Sequence, residues 1–144
     1  MTEQDTVRLL RECDAGTKMG IASIDEVLDC VSNDTLRTKL IHSKNEHEAL
    51  RSDIQGQLSA HREETKEPNP MAKSMSWIKT NVRLAVNGSD ATIADLMTDG
   101  CNMGIKSLNR YLNQYGAADE TSKSYANRLI GMEETLARDI RCYL

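Results

Sequence analysis

The stretch Gly16-Thr17-Lys18-Met19-Gly20-Ile21-Ala22-Ser23-Ile24 recurs without a gap as Gly100-Cys101-Asn102-Met103-Gly104-Ile105-Lys106-Ser107-Leu108. A second amphipathic segment follows each copy about one helix length later. The chain therefore reads as one supersecondary unit used twice: two helical hairpins that bury their apolar faces against each other.

Working outward from the first copy, Val7, Leu10, Ile21, Ile24, Leu28 and Val31 repeat at helical spacing, which predicts a helix from about residue 4 to 31. Asp14 and Thr17 interrupt its stripe. Ser32-Asn33-Asp34 is a turn and cap signal, and a second helix carries Leu36, Leu40, Leu50 and Ile54, with Ser43 and His47 in the gap. The charged run Arg62 to Glu67 frays that helix, and Pro68-Asn69-Pro70 ends it, because each proline lacks an amide donor and restricts the residue before it. Met71 to Val86 is expected to form a short crossover helix, followed by a turn at Asn87-Gly88.

The repeat offset places Ala91, Ala94, Thr98, Cys101, Ile105, Leu108, Leu112 and Tyr115 on the inward stripe of the next helix, capped by Ser89 or Asp90. Ile93, Leu96 and Met97 are left on another face, which the crossover helix or a second subunit would have to cover. Gly116 ends this helix. Asp119 or Thr121 starts the last one, whose stripe is Tyr125, Leu129, Leu136, Ile140 and Tyr143, interrupted by Glu133. The paired glycines cost helix propensity of about 1 kcal/mol each relative to alanine, and close approach of the first and third helices would compensate.

Composition narrows the function classes. A chain of 144 residues is expected to form a single domain spanning residues 1–144, with one well-buried core. Eighteen basic and twenty-two acidic residues are interspersed and sum to −4, which speaks against nucleic acid as a partner. The polar opening Met1-Thr2-Glu3-Gln4-Asp5 and the lack of a long apolar run predict a cytoplasmic protein that does not enter a membrane. Cys13, Cys30, Cys101 and Cys142 lie far apart without a C-x-x-C, as reduced thiols do. With four Tyr, one Trp and no Phe, the core must be aliphatic, which suits helix packing.

The polar interruptions fall near the middle of all four long helices and are expected to form one layer containing Asp14, His47 and Glu133, with Asp99 close by. Buried carboxylates and imidazoles are costly unless paired or bound to a cation. Two arrangements meet that requirement. One is a metal site for iron, manganese or zinc built from Asp14, His47, Glu133 and Asp99. The other is an internal network in which Asp14 or Glu133 accepts from His47, Arg51 or Arg138. No complete catalytic motif is present: Ser23 and Ser107 have no histidine at helical distance, and no phosphate-binding glycine loop follows a strand.

Two hairpins joined by a long crossover resemble the ferritin-like superfamily. Trp77-Ile78-Lys79 through Leu84-Ala85-Val86, then Ser89-Asp90 and Ile93, together with Cys13-Asp14-Ala15-Gly16, resemble a short bacterial ferritin-like family of unknown function. The resemblance covers most of residues 5–143 and implies a fold but no activity. Di-iron members of the superfamily have a carboxylate on helices one and three and a Glu-x-x-His on helices two and four. Here Lys44 stands three before His47, while Leu136 and Ala137 stand three after Glu133 and Glu134, so both Glu-x-x-His motifs are missing. Asp14 matches the first-helix carboxylate, but its repeat equivalent is Thr98, with Asp99 one residue away.

The fold expected is thus all-α, a ferritin-like four-helix bundle with a short additional crossover helix. The favoured function is a non-catalytic interaction or structural role without a cofactor, with self-association as a dimer through Ile93, Leu96 and Met97. The alternative is a metal-binding protein with a degenerate mid-bundle site.

Overall fold

The computed structural model describes residues 2–61 and 89–144, and the described residues are helical with no strand. They form α1 (Thr2–Leu28), α2 (Asp34–Ala60), α3 (Asp90–Gln114) and α4 (Glu120–Ile140), closed by a single 3-10 turn at Arg141–Tyr143. The short helix expected over 71–86 and the turn at Asn87-Gly88 lie outside the described residues. Among those described, no helix is long and apolar enough to cross a membrane.

Asn33 caps the start of α2: its side chain accepts from Leu36 N at 2.9 Å. Asp119 does the same for α4, accepting from Ser122 N at 2.8 Å. Those bonds hold its carboxyl below the usual range in spite of partial burial. Each cap is also fastened from the other hairpin. The Asp90 carboxylate, at the start of α3, accepts from Ser32 N at 2.9 Å and Asn33 N at 3.0 Å. Reciprocally, Thr6 of α1 accepts from Asp119 N at 2.8 Å, and Asp5 from Ala117 N at 3.2 Å. Thr6 and Asp90 are 84 residues apart, the offset of the repeat itself, so the two hairpins hold each other by equivalent positions.

These anchors fix the directions of the helices. α3 starts beside the α1–α2 turn, whereas α2 finishes at the other end, where His61 lies 3.5 Å from Glu3. Hence α1 and α4 run one way, α2 and α3 the other, over about 40 Å for a 27-residue helix. α1 packs against all three other helices, and α4 packs against α2 as well as against its own hairpin partner.

The core is two apolar clusters. At the end formed by the N-terminus of α1, Leu9, Leu10, Leu50, Ile54, Leu58 and Leu129 pack together; at the other, Ile24, Val27, Leu36, Leu40, Ile93 and Ile140 do. The stripe expected for α2 is buried in full, with Leu58 extending it. The phase expected for the start of α3 is not what the fold uses: Ala91 is exposed, while Ile93 and Met97 are buried beside Ile24 and Leu136, with Leu96 packed at their edge. Their repeat equivalents Leu9 and Cys13 are fully buried as well. The first helix of each hairpin packs on more than one neighbour and buries a broader arc than a single stripe. The apolar face assigned to a second subunit is therefore core.

Removing the reciprocal anchors should be costly in proportion to the amides they leave open. Asp90→Ala and Asp119→Ala are each expected to lower unfolding free energy by about 1–2 kcal/mol in urea titrations, whereas Glu120→Ala, exposed beside the cap, should stay within about 0.5 kcal/mol of wild type.

Candidate functional site

His47 and Glu133 each stand fourteen residues after the cap of their helix, Asn33 and Asp119. Equal depth from opposite hairpins brings them together: His47 Nε2 lies 2.7 Å from Glu133 Oε1. His47 is 1 % exposed and the Glu133 side chain 12 %. The other ring nitrogen, Nδ1, donates to the Ser43 carbonyl at 2.7 Å. A carbonyl can only accept, so Nδ1 carries a proton, and the short contact at Nε2 needs a second proton between ring and carboxylate. Burial opposes the imidazolium, but the hydrogen bond and charge of Glu133, the Ser43 carbonyl and nearby Glu46 outweigh it and raise the His47 pKa above its ordinary value. The pair is an ionised, charge-assisted bridge between hairpins.

One glycine makes room for the bridge. A Cβ on Gly20 would lie 2.6 Å from His47 Cδ2 and 2.7 Å from Nε2, inside the ring's van der Waals envelope. At Gly104, the repeat equivalent, a Cβ would sit 3.8 Å from the Glu133 carboxylate. Gly16 faces the Leu129 side chain at 3.1 Å, and Gly100 has nothing within 4 Å. The nearest neighbours of these glycines thus lie on α2 and α4, not across α1 and α3 as the sequence suggested: Gly20 opens space for the His47 ring, Gly16 admits Leu129 of α4, and a Cβ at Gly104 would make ordinary contact with Glu133.

The rest of the polar layer is engaged locally. Asp14, 2 % exposed, receives Lys18 Nζ on Oδ2 at 3.0 Å; Oδ1 is buried without a hydrogen bond, with Arg51 Nε at 3.9 Å. Thr17 donates to the Asp14 carbonyl at 2.8 Å and Thr98 to the Ala94 carbonyl at 2.7 Å, so both hydroxyls are turned back on their own helix. The Cys101 thiol hydrogen-bonds to Glu133, and burial drives its pKa up; burial likewise pushes Cys13 up to about 12, so both thiols are poor nucleophiles.

Of the four candidate ligands, His47 and Glu133 are brought into contact, Asp14 is held by cations of α1 and α2, and Asp99 is exposed. Among the described residues, no group of three or more His, Cys, Asp or Glu side chains is arranged to hold a metal ion. Arg138 is exposed on α4 rather than in the layer. Two contacts escaped the sequence reading. Lys18 is four residues from Asp14, a spacing that announces an ion pair on a helix. Glu12, raised by burial, hydrogen-bonds Tyr111 across α1 and α3, for which no local pattern exists.

No protein-family model matches the chain, and neither the curated proteins nor the solved structures contain a match.

Two expectations follow from the bridge. Because the folded His47 pKa is raised above 6.5, its stabilising contribution is complete below pH 6.5 and is lost as pH rises through the folded pKa. Glu133→Gln should lower the imidazole pKa, measured by NMR titration, flatten this pH dependence and cost about 2 kcal/mol in unfolding free energy below pH 6.5. The glycines should split by environment: Gly20→Ala is expected to destabilise by about 1–3 kcal/mol through the ring clash, and Gly100→Ala to stabilise by up to about 1 kcal/mol, both read from urea unfolding.

Proposed function

We propose that this chain is a ferritin-like helical bundle with a non-catalytic structural or interaction role, its mid-bundle layer given over to an internal ion pair in place of metal chemistry. The observation that carries this reading is the use of the donors: both ring nitrogens of His47 are occupied, by Ser43 and Glu133, while Asp14 is held by Lys18. A metal ligated by His47 would have to displace one of these partners and leave a charge uncompensated in the core. The ferritin-like assignment is supported by the two hairpins, by the directions of the helices, and by α2 ending and α3 beginning at opposite ends of the bundle. Self-association through Ile93, Leu96 and Met97 is not part of this reading, since Ile93 and Met97 lie in the core and Leu96 packs at its edge.

One observation favours the alternative: Asp14 Oδ1 is buried without a hydrogen bond, and the Arg51 Nε that faces it stands off at 3.9 Å. Metal titration separates the two. Iron(II), manganese(II) or zinc(II) in excess over protein should leave the melting temperature unchanged, and protein purified without chelator should carry no stoichiometric metal. A specific rise in melting temperature that disappears in His47→Ala would overturn the proposal in favour of a degenerate metal site.

A further inference from the structure

His47 and Glu133 differ in charge but not in place. Each lies fourteen residues beyond its cap, and each stands over the second glycine of its own hairpin's repeat, Gly20 or Gly104. Each has a main-chain carbonyl four residues back on its helix, from Ser43 or from Leu129. The anchors at the bundle ends are reciprocal in the same way, Thr6 to the Asp119 amide and Asp90 to the Asn33 amide. On one side of the layer the inward faces are alike, Leu50 matching Leu136 and Ile54 matching Ile140, while toward the caps Leu36 and Leu40 correspond to Ser122 and Ala126; where the faces match, apolar packing alone discriminates weakly between partners.

We propose that the His47–Glu133 pair is the pairing code of the bundle: it matches the first hairpin to the second and rejects either hairpin's own copy from a second chain. In the native pairing an imidazolium meets a carboxylate at 2.7 Å. With like hairpins paired across the same axis, His47 would face His47, or Glu133 would face Glu133, at a position where His47 is 1 % exposed. Like charges brought together out of water must give up ionisation or separate, and either response weakens the wrong pairing. The code goes beyond the structural role proposed above. It assigns to the buried pair the choice of partner, so that hairpins exchanged between two chains would still have to associate first with second.

A code of complementary charge can be written backwards, and a merely position-specific packing contact cannot. In the full-length chain, His47→Glu places two carboxylates in contact and Glu133→His two imidazoles. Each is expected to reduce the folding equilibrium constant at least about tenfold in urea titrations. The reversed double variant, His47→Glu with Glu133→His, should return to within about threefold of wild type, because position 104, like position 20 beside His47, carries no side chain, and the Leu129 carbonyl stands four residues back as Ser43 does from His47. A reversed variant no more stable than the weaker single variant overturns the proposal. If neither single variant folds, the neutral pair His47→Gln with Glu133→Gln becomes the reference: a reversed variant at least as stable as that pair upholds the code, and a less stable one removes it.

Discussion

One ion pair joins the two hairpins in the middle of this bundle. An imidazole and a carboxylate from opposite hairpins, 2.7 Å apart and largely withdrawn from water, can coexist there only with their remaining groups satisfied. Ser43 supplies the acceptor for Nδ1, Cys101 hydrogen-bonds to Glu133, and the Cβ that Gly20 lacks leaves space for the Cδ2–Nε2 edge of the ring. The two apolar clusters lie toward the two ends of the bundle from this layer. A buried pair of this kind adds little net stability compared with well-packed aliphatic side chains; what it adds is directionality, since a one-turn slip of α2 against α4 would leave two charges unpaired.

The repeat explains where the pair sits, and departures from the repeat explain its chemistry. Some equivalent positions in the two hairpins keep their character, the caps Asn33 and Asp119, the inward Leu50 and Leu136, Ile54 and Ile140, whereas Leu36 and Leu40 correspond to the smaller Ser122 and Ala126. They diverge at the polar layer, where Asp14 is matched by Thr98, Thr17 by Cys101 and His47 by Glu133. A metal site needs several donors of one sign converging on an empty point. At this layer the imidazole of His47 meets the carboxylate of Glu133, and the Asp14 carboxylate meets Lys18.

The four long helices, the caps and the stripe of α2 were legible from sequence pattern, the last because α2 buries one narrow, regular face on which its polar positions Ser43 and His47 also lie. The layer itself was visible as a shared interruption of apolar stripes. What paired with what inside it was less so: His47 with Glu133 depends on equal depth in two hairpins, which counting from the caps reveals, but Glu12 with Tyr111 depends on the rotation of α1 against α3, which no local spacing encodes. The phase at the start of α3 was missed because Ile93 and Met97 pack in an arc set by more than one neighbour, and a one-stripe rule sends them outward. The glycines carried an ambiguous signal. Four positions of one motif meet four environments, from the His47 ring to open space, and only tertiary contact distinguishes them.

The most direct test of the account is the protonation state of the His47 ring, read from its nitrogen chemical shifts at about pH 6 in labelled protein. The ionised bridge requires both Nδ1 and Nε2 to carry protons, with an Nε2 proton that exchanges slowly with water and couples to Glu133. A ring found neutral at that pH, or one whose Nε2 exchanges as freely as an exposed imidazole, would contradict the pairing on which the closed layer rests.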